Sequence, residues 1–128
     1  MKLLLDTCSF LWLIAADPAI PSRVRAALAT PGAELHLSAA STWEIALKHL
    51  RGRLPLPAPP AELIPRMRER YGIDPLPVDE ESALHIAKLP ELHRDPFDRM
   101  LVSQAIVHGL TIVTPDPLVI QYPARTLW

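Results

Sequence analysis

The sequence predicts an α/β fold of three layers, in which helices cover both faces of a central, mainly parallel sheet of four to five strands. Short apolar runs of strand length alternate along the chain with longer segments of helical hydrophobic spacing. Glycine, proline and aspartate separate these segments. Because a strand followed by a crossing helix leads back to a parallel strand, this alternation predicts parallel pairing.

The composition limits the class of protein. A length of 128 residues predicts one domain over residues 1–128. Apolar residues make up 49% and charged residues 21%, which favours a folded chain. The single cysteine, Cys8, excludes an internal disulfide and is interpreted as a small core residue. Asp6 interrupts the first apolar run, and no run approaches the ~18 apolar residues of a membrane span, so we expect a cytoplasmic protein with no membrane association.

The first three elements follow from an apolar run and its bounding prolines. Leu3–Leu5 is a continuous apolar run, typical of a strand buried on both faces. Asp17-Pro18 ends the helix after it, and Pro21-Ser22 begins another. We therefore expect a strand over Lys2–Asp6 and helices over Cys8–Ala16 and Ser22–Ala29.

The middle of the chain continues the alternation. His36 alternates with two leucines in a second strand, and Gly72 is placed to end a later helix after the proline-rich connector 55–60. We expect a strand over Leu35–Leu37 and helices over Ala39–Leu50 and Glu62–Tyr71.

The last third contains the strongest helix signal. Apolar residues cluster on one face before Gly109, and Asp79 is placed to cap a preceding helix. We expect a weak strand over Leu76–Val78, a helix from Asp79 through Lys88, a helix over Phe97–His108, a strand over Leu110–Val113 and an edge strand over Ala124–Leu127.

Four acids fall where this topology would bring them together, namely Asp6, Glu44, Asp98 and Asp116. Asp6 ends the first strand and Asp116 follows the fourth, while the other two lie early in their helices. In open parallel sheets, ligands bind beyond the carboxyl ends of the strands. Carboxylates placed close together favour a hard cation, Mg²⁺ or Mn²⁺, which can activate water for phosphodiester hydrolysis.

Each acid alone also has a structural interpretation. Asp6 fits a helix N-cap, and Asp116 before a proline fits ordinary turn chemistry. Glu44 fits a capping box that begins at Ser41, or an ion pair with Lys48. Either Asp95 or Asp98 fits the N-cap of the helix that follows them.

Other charged residues give weaker signals. Six basic residues lie from Lys48 to Arg70 against two acids, which fits either a surface for a polyanion or solvated helix faces. The five histidines have no metal-ligand spacing and are interpreted as structural or solvated, although His93 lies close to the Asp95–Asp98 segment. The RNA-binding candidates are Lys48, Arg51, Arg53 and Arg99.

Four segments in order resemble a known family, the PIN-domain ribonucleases, and in particular the VapC-type toxins of bacterial and archaeal toxin–antitoxin pairs. The segments that carry the resemblance are Leu4-Leu5-Asp6-Thr7, Leu37-Ser38 through Trp43-Glu44-Ile45, His93 to Leu101, and Ile112-Val113-Thr114-Pro115-Asp116. Their order and spacing extend over essentially the whole chain.

This resemblance implies a PIN-like fold and an Mg²⁺- or Mn²⁺-dependent endoribonuclease whose metal-binding acids are Asp6, Glu44, Asp98 and Asp116. It also implies an RNA substrate, a small cognate antitoxin and a homodimer. Thr7 and Thr114 match positions where the family often has a hydroxyl near the acids, and Asp95 becomes a supporting residue. Pro115 departs from the family's usual small residue but leaves the acid in place.

Two other functions fit parts of the pattern. A PIN-like module that binds RNA or protein without cleavage would share the fold, and the intact set of acids argues against it. A phosphoryl-transfer enzyme of the haloacid-dehalogenase type would need a second aspartate where Cys8 stands. A receiver domain would need a late lysine, and none follows Lys88.

Overall fold

The computed structural model describes residues 1–128 and contains a five-stranded sheet with seven α-helices. The strands are β1 (Lys2–Leu5), β2 (Glu34–Ser38), β3 (Ile73–Leu76), β4 (Thr111–Val113) and β5 (Thr126–Leu127). The helices are α1 (Thr7–Ile14), α2 (Ser22–Leu28), α3 (Ala39–Leu50), α4 (Pro60–Tyr71), α5 (Glu80–His85), α6 (Pro96–His108) and α7 (Pro117–Ile120). A 3₁₀ turn over Ile86–Lys88 follows α5.

The sheet has the order β3-β2-β1-β4-β5, and every pair of neighbouring strands is parallel. Leu4 pairs with His36 of β2 on one side and with Ile112 of β4 on the other. The chain therefore builds outward from β1 in one direction and then crosses to β4 in the other. The strand order switches between β1 and β4, which is where open α/β sheets bind ligands.

Two hydrophobic cores lie on the two faces of the sheet. Leu3 and Leu5 of β1 pack in one core with residues of α1, α2, α3 and α4. Leu4 points to the opposite face and packs with residues of α6 and α7. Alternate leucines of one strand thus serve both cores, which explains the continuous apolar run. The expected three-layer α/β/α arrangement is confirmed.

The predicted third strand is displaced. The structure places β3 at Ile73–Leu76, so only Leu76 of the expected Leu76–Val78 belongs to it. Pro75 lies inside the strand, which is tolerated because β3 is at the edge of the sheet and needs fewer backbone donors. Ile73 is buried in the first core and fixes the strand there.

Other predicted elements are present with shifted ends. The helix expected through Lys88 ends its α-helical part at His85 and continues as the 3₁₀ turn. The edge strand β5 contains only Thr126–Leu127 of the expected four residues. Helix α7 was not predicted, although Asp116 caps it and Pro117 occupies its first turn. None of the helices has the length and apolar character that a membrane span requires.

Candidate active site

One pocket of about 270 Å³ gathers the predicted acids beside α1, α3 and α6. All four acids line it, together with the supporting candidates Asp95 and Thr7 and the basic candidate Lys48. The full lining is Asp6, Thr7, Cys8, Leu11, Glu44, Lys48, Asp95, Asp98 and Asp116. Residues scattered over the whole sequence therefore meet near the carboxyl ends of β1 and β4.

Asp6 is held where β1 ends and α1 begins. Its backbone N–H donates to the Val113 carbonyl of β4 at 3.2 Å, which ties it to the neighbouring strand. Its Oδ1 accepts from the Ser9 backbone N–H at 2.8 Å, so Asp6 is the N-cap of α1. Ser9 Oγ donates to the same Val113 carbonyl at 2.8 Å. The expected capping role is confirmed, and it fixes a buried acid at the pocket.

Asp116 is held similarly after β4. Its backbone N–H donates to Thr114 Oγ1 at 3.0 Å, and its Oδ1 accepts from the Leu118 N–H at 2.9 Å as the N-cap of α7. Thr114 is fully buried and does not line the pocket. The Thr114 hydroxyl therefore shapes the turn that carries the acid.

Glu44 lies on α3 with both carboxylate oxygens engaged. Thr7 Oγ1 donates to Oε1 at 2.6 Å, and Lys48 Nζ lies 2.5 Å from Oε2. The N-cap of α3 is Ser38, so the capping box expected at Ser41 is wrong, whereas the Lys48 ion pair is confirmed. A buried glutamate that bridges two helices and an ammonium is thus aimed at the pocket.

Asp95 and Asp98 divide the two roles that the sequence left open. Asp95 Oδ1 accepts from the N–H groups of Phe97 and Asp98 at 2.9 and 3.0 Å, which makes Asp95 the N-cap of α6. Asp98 caps nothing, and its Oδ2 lies 3.1 Å from His93 Nε2. The Asp98 side chain therefore accepts no hydrogen bond from the backbone.

The pocket disfavours negative charge. Burial raises the pKa of Asp6, and hydrogen bonds from Ser9 and Thr114 oppose this shift. Burial raises the pKa of Asp98 to about 6; repulsion from the neighbouring acids adds to it, while the His93 hydrogen bond opposes it. Burial, followed by repulsion from the four acids of the pocket, raises the pKa of Cys8 to about 12, so its thiol stays protonated at neutral pH.

A cation would relieve this charge, and the donors suit a hard one. Carboxylate oxygens are the ligands that Mg²⁺ and Mn²⁺ prefer. No three acid, histidine or cysteine side chains converge closely enough to form a closed metal centre. Mg²⁺ is commonly held by one or two carboxylates with water and substrate phosphate, and the open, oxygen-lined pocket fits that mode.

The other basic candidates lie outside this pocket. Arg51 and Arg53 are exposed beyond the end of α3 and do not line it. Arg99 lines a neighbouring cavity of about 490 Å³, where its Nη1 donates to the Tyr122 hydroxyl and to the Pro90 carbonyl. Their contact with RNA stays a prediction.

Sequence reasoning missed three residues near the acids. Cys8 and Leu11 line the pocket, so the interpretation of Cys8 as a core residue is wrong: α1 presents it beside Thr7 on the pocket wall. His93 contacts Asp98 directly. Only its place five residues before Asp98 pointed to this contact.

Comparisons with known proteins agree with this fold. The family model for the PIN domain matches residues 3–123. Ribonuclease VapC16 of Mycobacterium tuberculosis (strain ATCC 25618 / H37Rv) is 47% identical over 49 residues, an alignment that covers 38% of this chain and only 35% of that relative. Because the family match extends over most of the chain, the chain belongs to the PIN domain family, and the predicted resemblance is confirmed.

Solved structures share the fold at low sequence identity. VapBC2 from Rickettsia felis, bound to a DNA fragment from its promoter, superimposes with a TM-score of 0.69 at 13% identity, over 99% of this chain and 98% of that one. VapBC-1 from nontypeable Haemophilus influenzae gives 0.68 at 18% identity, over 99% and 97%. A toxin–antitoxin complex from Klebsiella pneumoniae gives 0.62 at 15% identity, over 98% and 96%.

Proposed function

We propose that this chain is an Mg²⁺- or Mn²⁺-dependent endoribonuclease that acts in the cytoplasm as the toxin of a toxin–antitoxin pair. The observation that carries the proposal is the pocket in which Asp6, Glu44, Asp98 and Asp116 meet at the switch in strand order of a PIN domain. The local identity to a protein named ribonuclease VapC16 supports the choice of RNA as substrate.

Residues of the acid pocket would bind both the cation and the substrate phosphate. Asp6, Glu44, Asp98 and Asp116 would hold the cation, one or two of them directly and the others through its bound water, and the cation would supply Lewis-acid activation of the phosphodiester and of water. Hydrogen bonds that Asp6 and Asp116 make as helix caps restrict their rotation. The Lys48 pKa is raised by its hydrogen bond to Glu44, so its ammonium stays charged and is placed to attract a phosphate.

Removal of the cation or of one buried acid should abolish cleavage. We expect the purified chain to cut single-stranded RNA with Mg²⁺ or Mn²⁺ and to lose this activity in EDTA. Asp6→Asn should lower the rate at least about 100-fold, because the amide keeps the cap but removes the charge that the cation needs. Gel analysis of a labelled RNA measures both effects.

Asp74→Asn is the matched control, since Asp74 is exposed on β3 and does not line the pocket. It should cleave as the unaltered chain does. Cleavage that persists in EDTA, or in the folded Asp6→Asn variant, contradicts the proposed chemistry. RNA binding without any cleavage by the unaltered chain would favour the non-cleaving PIN-like module instead.

An apolar groove beside the acids supports the antitoxin part of the proposal. This groove, about 200 Å³, is lined by Leu11, Ile14, Ala15, Leu54, Pro55, Leu56, Pro57, Leu63 and Met67. Leu11 also lines the acid pocket, so the two depressions share a wall. A peptide with apolar side chains seated in the groove would lie beside the acids and could extend over them. We include a homodimer in the same proposal, to be tested by light scattering during gel filtration.

We expect expression of the chain to arrest growth and a small protein encoded beside its gene to relieve the arrest. The Leu56→Arg variant should still cleave RNA and should arrest growth even when the small protein is present, because a charge in the apolar groove weakens binding of that protein. Leu84→Arg, a change at an exposed leucine of α5, should stay neutralised. Harmless expression of an active chain would contradict the toxin role.

A further inference from the structure

A chain of hydrogen bonds runs from Arg99 to Asp98 through Tyr122, which is buried, and His93, which is largely buried. Arg99 Nη1 donates to the Tyr122 hydroxyl at 2.9 Å. The Tyr122 oxygen lies 2.8 Å from His93 Nδ1, and His93 Nε2 lies 3.1 Å from Asp98 Oδ2. Tyr122 is 3% exposed and the His93 side chain 10% exposed, so water does not compete freely for these bonds.

The chemistry of the partners allows one consistent assignment in which a neutral His93 ring donates to Asp98. An arginine can only donate, so the Tyr122 oxygen accepts from Arg99 and its own proton is available to His93 Nδ1. An imidazole nitrogen that accepts a hydrogen bond carries no proton, which leaves the ring proton on Nε2. Nε2–H therefore donates to the Asp98 carboxylate.

Arg99 also forms hydrogen bonds with the loop that contains His93. Arg99 Nη1 donates to the Pro90 carbonyl at 2.9 Å and lies 3.4 Å from the His93 carbonyl. The Arg99 guanidinium also lies 5.8 Å from the centre of the Tyr122 ring. His93 lies outside any helix or strand, so these contacts fix its position relative to α6.

We propose that His93 is a positioning residue that holds the Asp98 carboxylate for the divalent cation, and that Tyr122 and Arg99 fix the ring of His93 for this task. The inference depends on the proposed function, because it assigns Asp98 a cation to bind. A bond at Oδ2 restricts rotation of the carboxylate and leaves Oδ1 without a protein hydrogen bond, available to a cation. Groups that orient metal-binding carboxylates in this way commonly change cation affinity by about 10- to 100-fold.

The test compares two substitutions at His93 in the full-length chain. His93→Leu removes the donor, whereas His93→Gln keeps a donor to Asp98 and an acceptor for Tyr122. Mn²⁺ alone is the probe, and the electron paramagnetic resonance signal of free Mn²⁺ gives the dissociation constant without RNA. We expect His93→Leu to weaken Mn²⁺ binding about 10- to 100-fold and His93→Gln to restore most of the affinity.

The nitrogen NMR signals of the ring provide a second readout that is independent of the cation. In the metal-free chain, His93 should be the Nε2–H tautomer, and Tyr122→Phe should mix the two tautomers and weaken Mn²⁺ binding less than His93→Leu does. Thermal unfolding in EDTA identifies any variant that fails to fold. If His93→Leu does not fold, Tyr122→Phe and His93→Gln decide the question.

The outcomes separate this inference from the proposed function. Folded His93→Leu that binds Mn²⁺ as tightly as the unaltered chain overturns the positioning role and leaves the proposed function standing. Failure of the unaltered chain to bind Mn²⁺ overturns both. A His93→Gln variant as weak as His93→Leu shows that the donor at this place is not what holds Asp98, and also overturns the inference.

Discussion

Asp98→Asn is expected to abolish RNA cleavage while it stabilises the metal-free fold at neutral pH. Loss of the charge removes a proposed cation ligand, so we expect the rate to fall at least about 100-fold. The stabilisation arises because burial raises the pKa of Asp98 to about 6, which means that the ionised carboxylate is unfavourable in the folded chain. Unlike Asp95, Asp98 caps no helix, so replacement of its carboxylate by an amide breaks no hydrogen bond to the backbone.

The sign of the pH dependence follows from the two protonation states. The pKa of an aspartate in the unfolded chain is ~3.9, whereas burial raises the pKa of Asp98 in the folded chain to about 6. As the pH rises, the unfolded chain therefore loses this proton first, and the free energy of unfolding falls between about pH 4 and 6. The Asp98→Asn variant lacks this decrease. Its free energy of unfolding therefore exceeds that of the unaltered chain most at pH 7, and the difference disappears below about pH 4.

Urea unfolding in EDTA at several pH values measures this difference. The Asp98 side chain is 21% exposed, so after solvent screening we expect an advantage of about 1–2 kcal/mol at pH 7. Asp95→Asn is the comparison, because it alters the N-cap of α6 and should not stabilise the chain. If Asp95→Asn abolishes cleavage and Asp98→Asn does not, the assignment of the two acids is reversed.

Phe10→Ala should have the largest effect on stability. Phe10 has no exposed surface and packs from α1, the helix that Asp6 caps, into the first core. Truncation of a buried phenylalanine leaves a cavity and typically costs about 3–5 kcal/mol. Because a domain is stable by only about 5–15 kcal/mol, we expect a large part of the chain's stability to be lost.

Urea unfolding monitored by circular dichroism measures this loss. Phe10→Leu fills more of the space and should cost clearly less, while Leu50→Ala, at a side chain that is 83% exposed, should stay within about 0.5 kcal/mol of the unaltered chain. A cost below about 1 kcal/mol for Phe10→Ala would contradict the placement of this ring in the core.

The parallel sheet and the meeting of the acids at its edge were predictable because both follow from the alternation of strands and helices along the sequence, whereas the order of the strands was not predicted. Alternating strands and helices imply parallel pairing, and parallel strands bring their carboxyl ends to one edge. Asp6 and Asp116 follow β1 and β4, which are adjacent in the sheet, so their approach required only the correct strand order. Helix positions predicted for Glu44 and Asp98 then placed these two acids above the same edge.

The elements and contacts that the sequence did not predict depend on residues far apart in the chain or on segments too short to show a period. Pro75 weakened the signal of β3, and only its edge position in the assembled sheet makes this proline acceptable. The contact of His93 with Tyr122 joins residues 29 apart in the chain, which no local pattern indicates. The segment of α7 is four residues long and lacks a helical period, so its cap and proline were interpreted as a turn.

The three aspartates that cap helices have a second reason to persist. Asp6, Asp95 and Asp116 begin α1, α6 and α7, and they would continue to do so in a descendant of this chain that had lost all cleavage. Asp98 begins no helix, and its burial makes the ionised form costly. Relaxed selection would therefore leave position 98 free to change early, whereas the capping positions would keep a residue that can cap a helix, so position 98 would be the better marker of activity among diverged copies.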